Sequence, residues 1–163
     1  KPDSYQFDPD HEGHWDRDSA WIAENMPRFL NRNVPDVAVI CLGAEDIAAN
    51  HAAADPLTDG IVRNIKRVIE ALRSRNRDVR IVVAKVLPTR GKEEATDLLN
   101  KKILLLARSP VPALQPVVVA EIDRGFDSNQ DMDSGDGLPN AEGARKIAVT
   151  LAEAIDPLLG PAR

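Results

Sequence analysis

Three short apolar runs punctuate the chain, at residues 37–42, 79–86 and 116–122. The first and third are almost uninterrupted, as strands covered on both faces of a parallel sheet require. Between and around them apolar residues recur at three-and-four spacing, the signature of amphipathic helices. Residues 16–31 carry Trp21, Ile22, Met26, Phe29 and Leu30, with Asp16 or Asp18 available as N-cap. Residues 59–75 carry Ile61, Ile65, Val68, Ile69 and Leu72, and end in basic residues that suit the helix dipole. Residues 92–107 carry Leu98, Leu99, Ile103 and Leu106, and residues 140–155 carry Ala144, Ile147, Ala148, Leu151 and Ile155. Helix and strand therefore alternate, which predicts an α/β fold with a doubly wound parallel sheet flanked by helices. Three strands make a small sheet for 163 residues. Residues 1–15 read as an irregular N-terminal segment, and residues 109–116 as a proline-punctuated loop before the third strand.

Composition narrows the classes. A length of 163 residues is expected to form one domain, residues 1–163. The net charge is −5 and no Lys/Arg-dense block interrupts the mixture, so neither nucleic acid nor a membrane is an expected partner. No apolar run reaches the roughly 20 residues of a membrane span, and the polar start does not read as a signal peptide. A soluble chain is expected, and a mature secreted protein would look the same. The single cysteine, Cys41, excludes an intramolecular disulfide and a thiolate zinc site, and reads as a buried packing residue. The three histidines, His11, His14 and His51, all precede residue 52. A mechanism that needs a histidine from the C-terminal half is excluded.

In open α/β sheets ligands meet the carboxyl ends of the strands, which directs attention to residues 43–46, 87–91 and 123–140. Glu45 and Asp46 are expected in a strand-end loop, where paired carboxylates can act as acid and base or hold a cation. The alternative is that Asp46 caps a helix and Glu45 is solvated. Asp127, Asn129, Asp131 and Asp133 place oxygens at alternate positions, as calcium prefers, although Met132 falls where an EF-hand needs glycine. A solvated loop shaped by Asx turns is the other reading. His11 and His14 flank Glu12 closely enough to suggest a metal pair, or simply an ordered loop. Trp15 and Trp21 are read as packing residues, with Trp15 also a candidate for stacking on a ligand.

Three blocks carry a family resemblance: residues 7–15 (FDPDHEGHW), 35–46 (PDVAVICLGAED) and 136–148 (DGLPNAEGARKIA). Their order and spacing resemble the SGNH/GDSL hydrolases, most nearly the bacterial branch with acetyl-xylan-type carbohydrate esterases. The resemblance extends from about Phe7 to Ile155. It implies a flavodoxin-like, SGNH-type sheet, a secreted bacterial protein, and hydrolysis of acyl esters on carbohydrate through a seryl intermediate.

Carried over residue by residue, the resemblance breaks down at the chemistry. The family's nucleophile lies in a Gly-Asp-Ser block on a strand well upstream of the His-Glu-Gly block. Here only ten residues precede His11, and Ser4 has no strand before it. Gly13 matches the glycine whose N–H helps bind the oxyanion, but Asp16, Arg17 and Asp18 replace the Gly-Trp-Arg stretch that usually follows. Where the family's Gly-x-Asn-Asp block supplies an asparagine N–H to the oxyanion, this chain has Glu45, an acceptor in place of a donor. The last block, Asp-x-x-His-Pro in the family, reads Asp136, Gly137, Leu138, Pro139 here, so Asp136 keeps the acid position without its histidine.

The resemblance therefore implies a catalytically inactive or severely impaired esterase-like domain, with a vestigial pocket drawn from Gly13, Gly43, Glu45, Asp46, His11, Trp15, Asp136 and Leu138. One alternative is a binding or assembly module for an acyl-ester or carbohydrate ligand. Another is a split esterase completed by sequence outside this chain. The family's first strand, which lies beside the 37–42 run, is missing, so an open strand edge is expected to recruit a protein partner or a second copy. No cofactor is expected apart from the calcium option.

Overall fold

The computed structural model describes residues 13–108, 116–133 and 137–159. His11 and Asp136 lie outside these described residues, as do Ser4 and the bulk of the 109–116 loop. The elements run α1 (Ser19–Phe29), β1 (Val37–Ile40), α2 (Ala44–Ala49), α3 (Ala54–Arg75), β2 (Arg80–Ala84), α4 (Glu93–Ala107), β3 (Val117–Ala120) and α5 (Ala141–Leu159). The strands form a parallel sheet in the order β1-β2-β3, with Val37 opposite Arg80 and Ile81 opposite Val117. The α/β architecture is as the pattern predicts. The additions are α2, which apolar periodicity is too short to reveal, and an earlier start to α3, where Pro56 is tolerated in the first turn.

Alternation along the strands divides the core in two. Ile40, Ile81 and Val83 face a large cluster built on Met26 and Phe29 of α1, Ile61, Ile65 and Val68 of α3, and Leu99 and Ile103 of α4. Val82, Ala84 and Ala120 face the opposite side, where Ile147, Leu151 and Ile155 of α5 cover them. Helices thus flank both faces of the sheet. On α5, Ala144 and Ala148 point to solvent instead, and Gly143 is its only buried residue. Among the described residues no helix is long and apolar enough to cross a membrane.

Local chemistry sets the ends of these elements. Asp18 is the N-cap of α1, its carboxylate accepting the Trp21 N–H at 2.8 Å. Gly43 opens α2 with φ +115°, and a Cβ there would lie 2.6 Å from Leu99 Cδ2, so both conformation and space require glycine. Asn140 starts α5 by accepting from the N–H groups of Glu142 and Gly143, both at 3.0 Å.

Candidate functional site

Beyond the carboxyl end of β1 the chain turns through Gly43 into α2, so Glu45 and Asp46 occupy the first turn of a helix rather than a loop. The segment from Gly13 to Asp18 crosses beside them. His14 holds this segment down: its ring stacks on Phe29 at 5.1 Å and meets Trp21 edge-on at 4.9 Å. The Arg17 guanidinium lies 5.0 Å from the Trp21 ring centroid, a cation–π contact. Asp16 adopts a left-handed conformation (φ 54°), which aspartate tolerates better than most residues, and this turns the chain toward the Asp18 cap.

Two adjoining open cavities result. One, of about 310 Å³, is lined by Asp16, Arg17, Asp18, Trp21, Glu45, Asp46, Ala49 and Asn50. The other, of about 380 Å³, is lined by Gly13, His14, Trp15, Asp16, Arg17 and Glu45. Glu45 lines both. Four acidic residues and one arginine therefore line the two cavities, a balance that favours hydroxyl and cationic groups over an anion.

Asp46 is not free to act on a ligand with both oxygens. It accepts the Ser19 N–H at 2.9 Å and the Ser19 hydroxyl at 2.6 Å, and Asn64 Nδ2 donates to the same hydroxyl at 3.0 Å. Ser19 is completely buried, so this network ties the start of α1 to α2 and α3.

The structure brings together Gly13, Trp15, Glu45 and Asp46 from the expected set. Gly43 packs instead against Leu99, Ile61 and Val86, and Leu138 lines neither cavity. Trp15 is 78% exposed rather than packed, and Cys41 is exposed rather than buried. Arg17, Asp18 and Asn50 are lining residues that strand-end reasoning missed. The polar 16–18 stretch was the available signal, but its contact with α2 is non-local.

The acidic loop has a different organisation from a cation site. Asp131 is almost fully buried, and its carboxylate accepts the Asp127 N–H at 2.7 Å and both approaches of Lys146 Nζ at 2.8 and 2.9 Å. The Asp127 N–H first, and then Lys146, hold the Asp131 carboxyl below its ordinary pKa. Asp127 caps its own turn by accepting from Asn129 N–H. Among the described residues no group of three or more His, Cys, Asp or Glu side chains is arranged to hold a metal ion. Gly143 fits this loop closely, since a Cβ there would overlap the Asp131 carbonyl.

At the carboxyl ends of β2 and β3, Lys85 bridges Glu121 at 2.6 Å and Asp123 at 3.4 Å. Burial alone would lower the Lys85 pKa, but the Glu121 hydrogen bond and the two carboxylate charges outweigh it and raise it. Asn100 closes the network, its amide pairing with both backbone groups of Val86 at 2.8 and 2.9 Å.

No protein-family model matches the sequence, and no curated protein matches it. Solved structures do match. A carbohydrate esterase family 3 protein from Talaromyces cellulolyticus aligns with 28% identity and a TM-score of 0.81, over 96% of this chain and 75% of that one. An acetyl esterase mutant bound to acetate ion aligns with 27% identity and a TM-score of 0.83, over 98% of this chain and 77% of that one. A family 3 carbohydrate esterase from Clostridium thermocellum aligns with 27% identity and a TM-score of 0.76, over 93% and 71%.

Proposed function

We propose that this chain, which has the SGNH/GDSL hydrolase fold, is an esterase-derived domain in which serine–histidine ester hydrolysis is lost or severely impaired. The observation that carries this reading is Glu45, set in the pocket among Asp16, Asp18 and Asp46. Acyl transfer places negative charge on the carbonyl oxygen in the transition state, and hydrogen-bond donors must meet it there. Loss of one such donor costs about 2.7–4 kcal/mol, and a carboxylate in its place adds repulsion. The proton relay fails separately. No histidine follows His51 in the sequence, and the His14 ring is engaged by Trp21 and Phe29. The reading uses no cofactor, and export from a bacterial cell, which the resemblance implies, is part of it.

Nitrophenyl acetate hydrolysis tests the proposal. The expected rate equals that of buffer with heat-treated protein; turnover in the ordinary enzyme range of about 1–10³ s⁻¹ overturns it.

A second reading draws support from Trp15, whose exposed indole lines the same cavity as Glu45 and Asp16. An aromatic face covers the C–H surface of a sugar ring, while carboxylates accept its hydroxyl protons. The pocket would then bind a carbohydrate without transforming it. Xylo-oligosaccharide titration followed by tryptophan fluorescence is expected to saturate in the wild type and fail in Trp15→Ala. An unchanged signal in the wild type removes this reading.

A further inference from the structure

The cavity beside α2 holds a cation that belongs to the chain itself. The Arg17 guanidinium lies 5.0 Å from the centroid of the Trp21 ring, in the space that Asp16, Asp18 and Glu45 also line. The ring beneath it is fixed: Trp21 is half-buried in the first turn of α1 and packs against His14 and Phe29. The guanidinium above it is not. Arg17 is exposed, and among the described residues it makes no ion pair or hydrogen bond with the acidic groups around it, so the aromatic face alone holds its charge.

The backbone on either side of Arg17 is set independently. Asp16 takes its left-handed conformation before it, and Asp18 caps α1 after it. Rotation about the Arg17 side-chain bonds therefore lifts the guanidinium from the ring while the backbone stays in place. An aromatic face is a general receptor for ammonium and guanidinium groups, and neighbouring carboxylates add to the attraction.

We propose that Arg17 is a displaceable plug, its guanidinium seated where the pocket receives the cationic group of a ligand, and that this ligand is a hydroxylated organic cation of the class of a protonated amino sugar. The proposal rests on the reading of the pocket as a binding rather than a catalytic site. Exchange of one cation for another on the Trp21 ring is nearly neutral, so the gain comes from contacts that Arg17 does not make. Asp16 and Glu45 accept hydroxyl protons, and Asn50 lines the same cavity with an amide. A volume of about 310 Å³ is at the small end for a ligand pocket, which suits a single sugar ring. An acidic sugar meets the same carboxylates as like charges and is rejected.

Calorimetric titration with glucosamine near about pH 6, where such an amine is protonated, tests this beside glucose and glucuronate. Glucosamine is expected to bind more tightly than glucose, and glucuronate least. Arg17→Ala and Arg17→Gln, at an exposed position, are each expected to tighten glucosamine binding about two- to fivefold, the equivalent of an exposed cation–π contact. Glu45→Gln is expected to weaken it. Trp15→Phe leaves Trp21 as the sole tryptophan, and glucosamine is expected to change its emission as the guanidinium is displaced. Affinity that is unchanged or lower in both Arg17 variants overturns the proposal, as does the absence of glucosamine binding in the wild type and both variants. Equal binding of glucose and glucosamine also overturns it, yet leaves carbohydrate binding standing. Turnover of nitrophenyl acetate is measured separately and bears on the loss of hydrolysis alone.

Discussion

The Ser19 hydroxyl donates to Asp46 Oδ1 across 2.6 Å, and the Ser19 N–H donates to the other oxygen of the same carboxylate. One side chain thus satisfies the first orphan donor of α1 from a different helix, 27 residues away. The carboxylate that appeared available for chemistry is held in a tertiary cap.

Asp46→Ala removes both bonds and leaves the buried Ser19 hydroxyl with Asn64 alone. The expected loss is about 1–3 kcal/mol in urea unfolding, with Asp46→Asn losing less because one acceptor oxygen remains. An unchanged midpoint for Asp46→Ala would show that the network contributes nothing to stability.

Gly43→Ala is expected to destabilise more than an average surface change. The left-handed conformation and the overlap with Leu99 together cost about 2–4 kcal/mol. Gly91→Ala is the control: Gly91 also has positive φ, but nothing lies within 4 Å of its added Cβ, so only the conformational part remains. Equal losses in the two variants would show that the contact with Leu99 relaxes freely.

Asp131 links stability to pH. Its native pKa is depressed by the Asp127 N–H and Lys146, so the native state holds its proton less tightly than the unfolded chain. The stabilisation is complete above the unfolded carboxylate value, near about 3.9, and is lost as pH falls through the lower native value. The stability difference between wild type and Asp131→Asn is therefore expected to be constant at neutral pH and to shrink below about pH 4. Urea midpoints measured in parallel check this, and a difference that persists unchanged to about pH 2 contradicts it.

Glu45→Asn restores an amide donor but supplies neither base nor nucleophile. Catalytic groups that act as a unit are not additive, so the variant is expected to hydrolyse nitrophenyl acetate no faster than the wild type. Binding of acetate is a separate readout and should strengthen, because an exposed negative charge lining the pocket is gone. Measurable turnover in this variant would mean that a nucleophile and base are present in the pocket.

Much of the fold was legible along the chain because its elements are amphipathic over lengths that periodicity can register. The 59–75 pattern lies within α3, and the 79–86 run contains β2. The 37–42 run shortens to Val37–Ile40 because pairing with β2 ends at Ile40 opposite Val83, leaving Cys41 and Leu42 beyond the ladder. Two turns of helix in α2 were invisible for a different reason: six residues with one buried side chain, Ile47, give no period. In the acidic loop the alternating oxygens were plain in the sequence, but Lys146 approaches from α5 and takes the central carboxylate.

By itself the sequence determined the alternation of strands and helices, the parallel sheet, and the absence of any histidine after residue 51. These are properties of local pattern and of count, which no folding can alter. Only the tertiary structure decided that Asp46 serves Ser19, that Asp131 serves Lys146, and that Trp15 stands open to solvent beside Glu45. Each is set by groups distant in sequence competing for one partner, and that competition is settled when the elements pack.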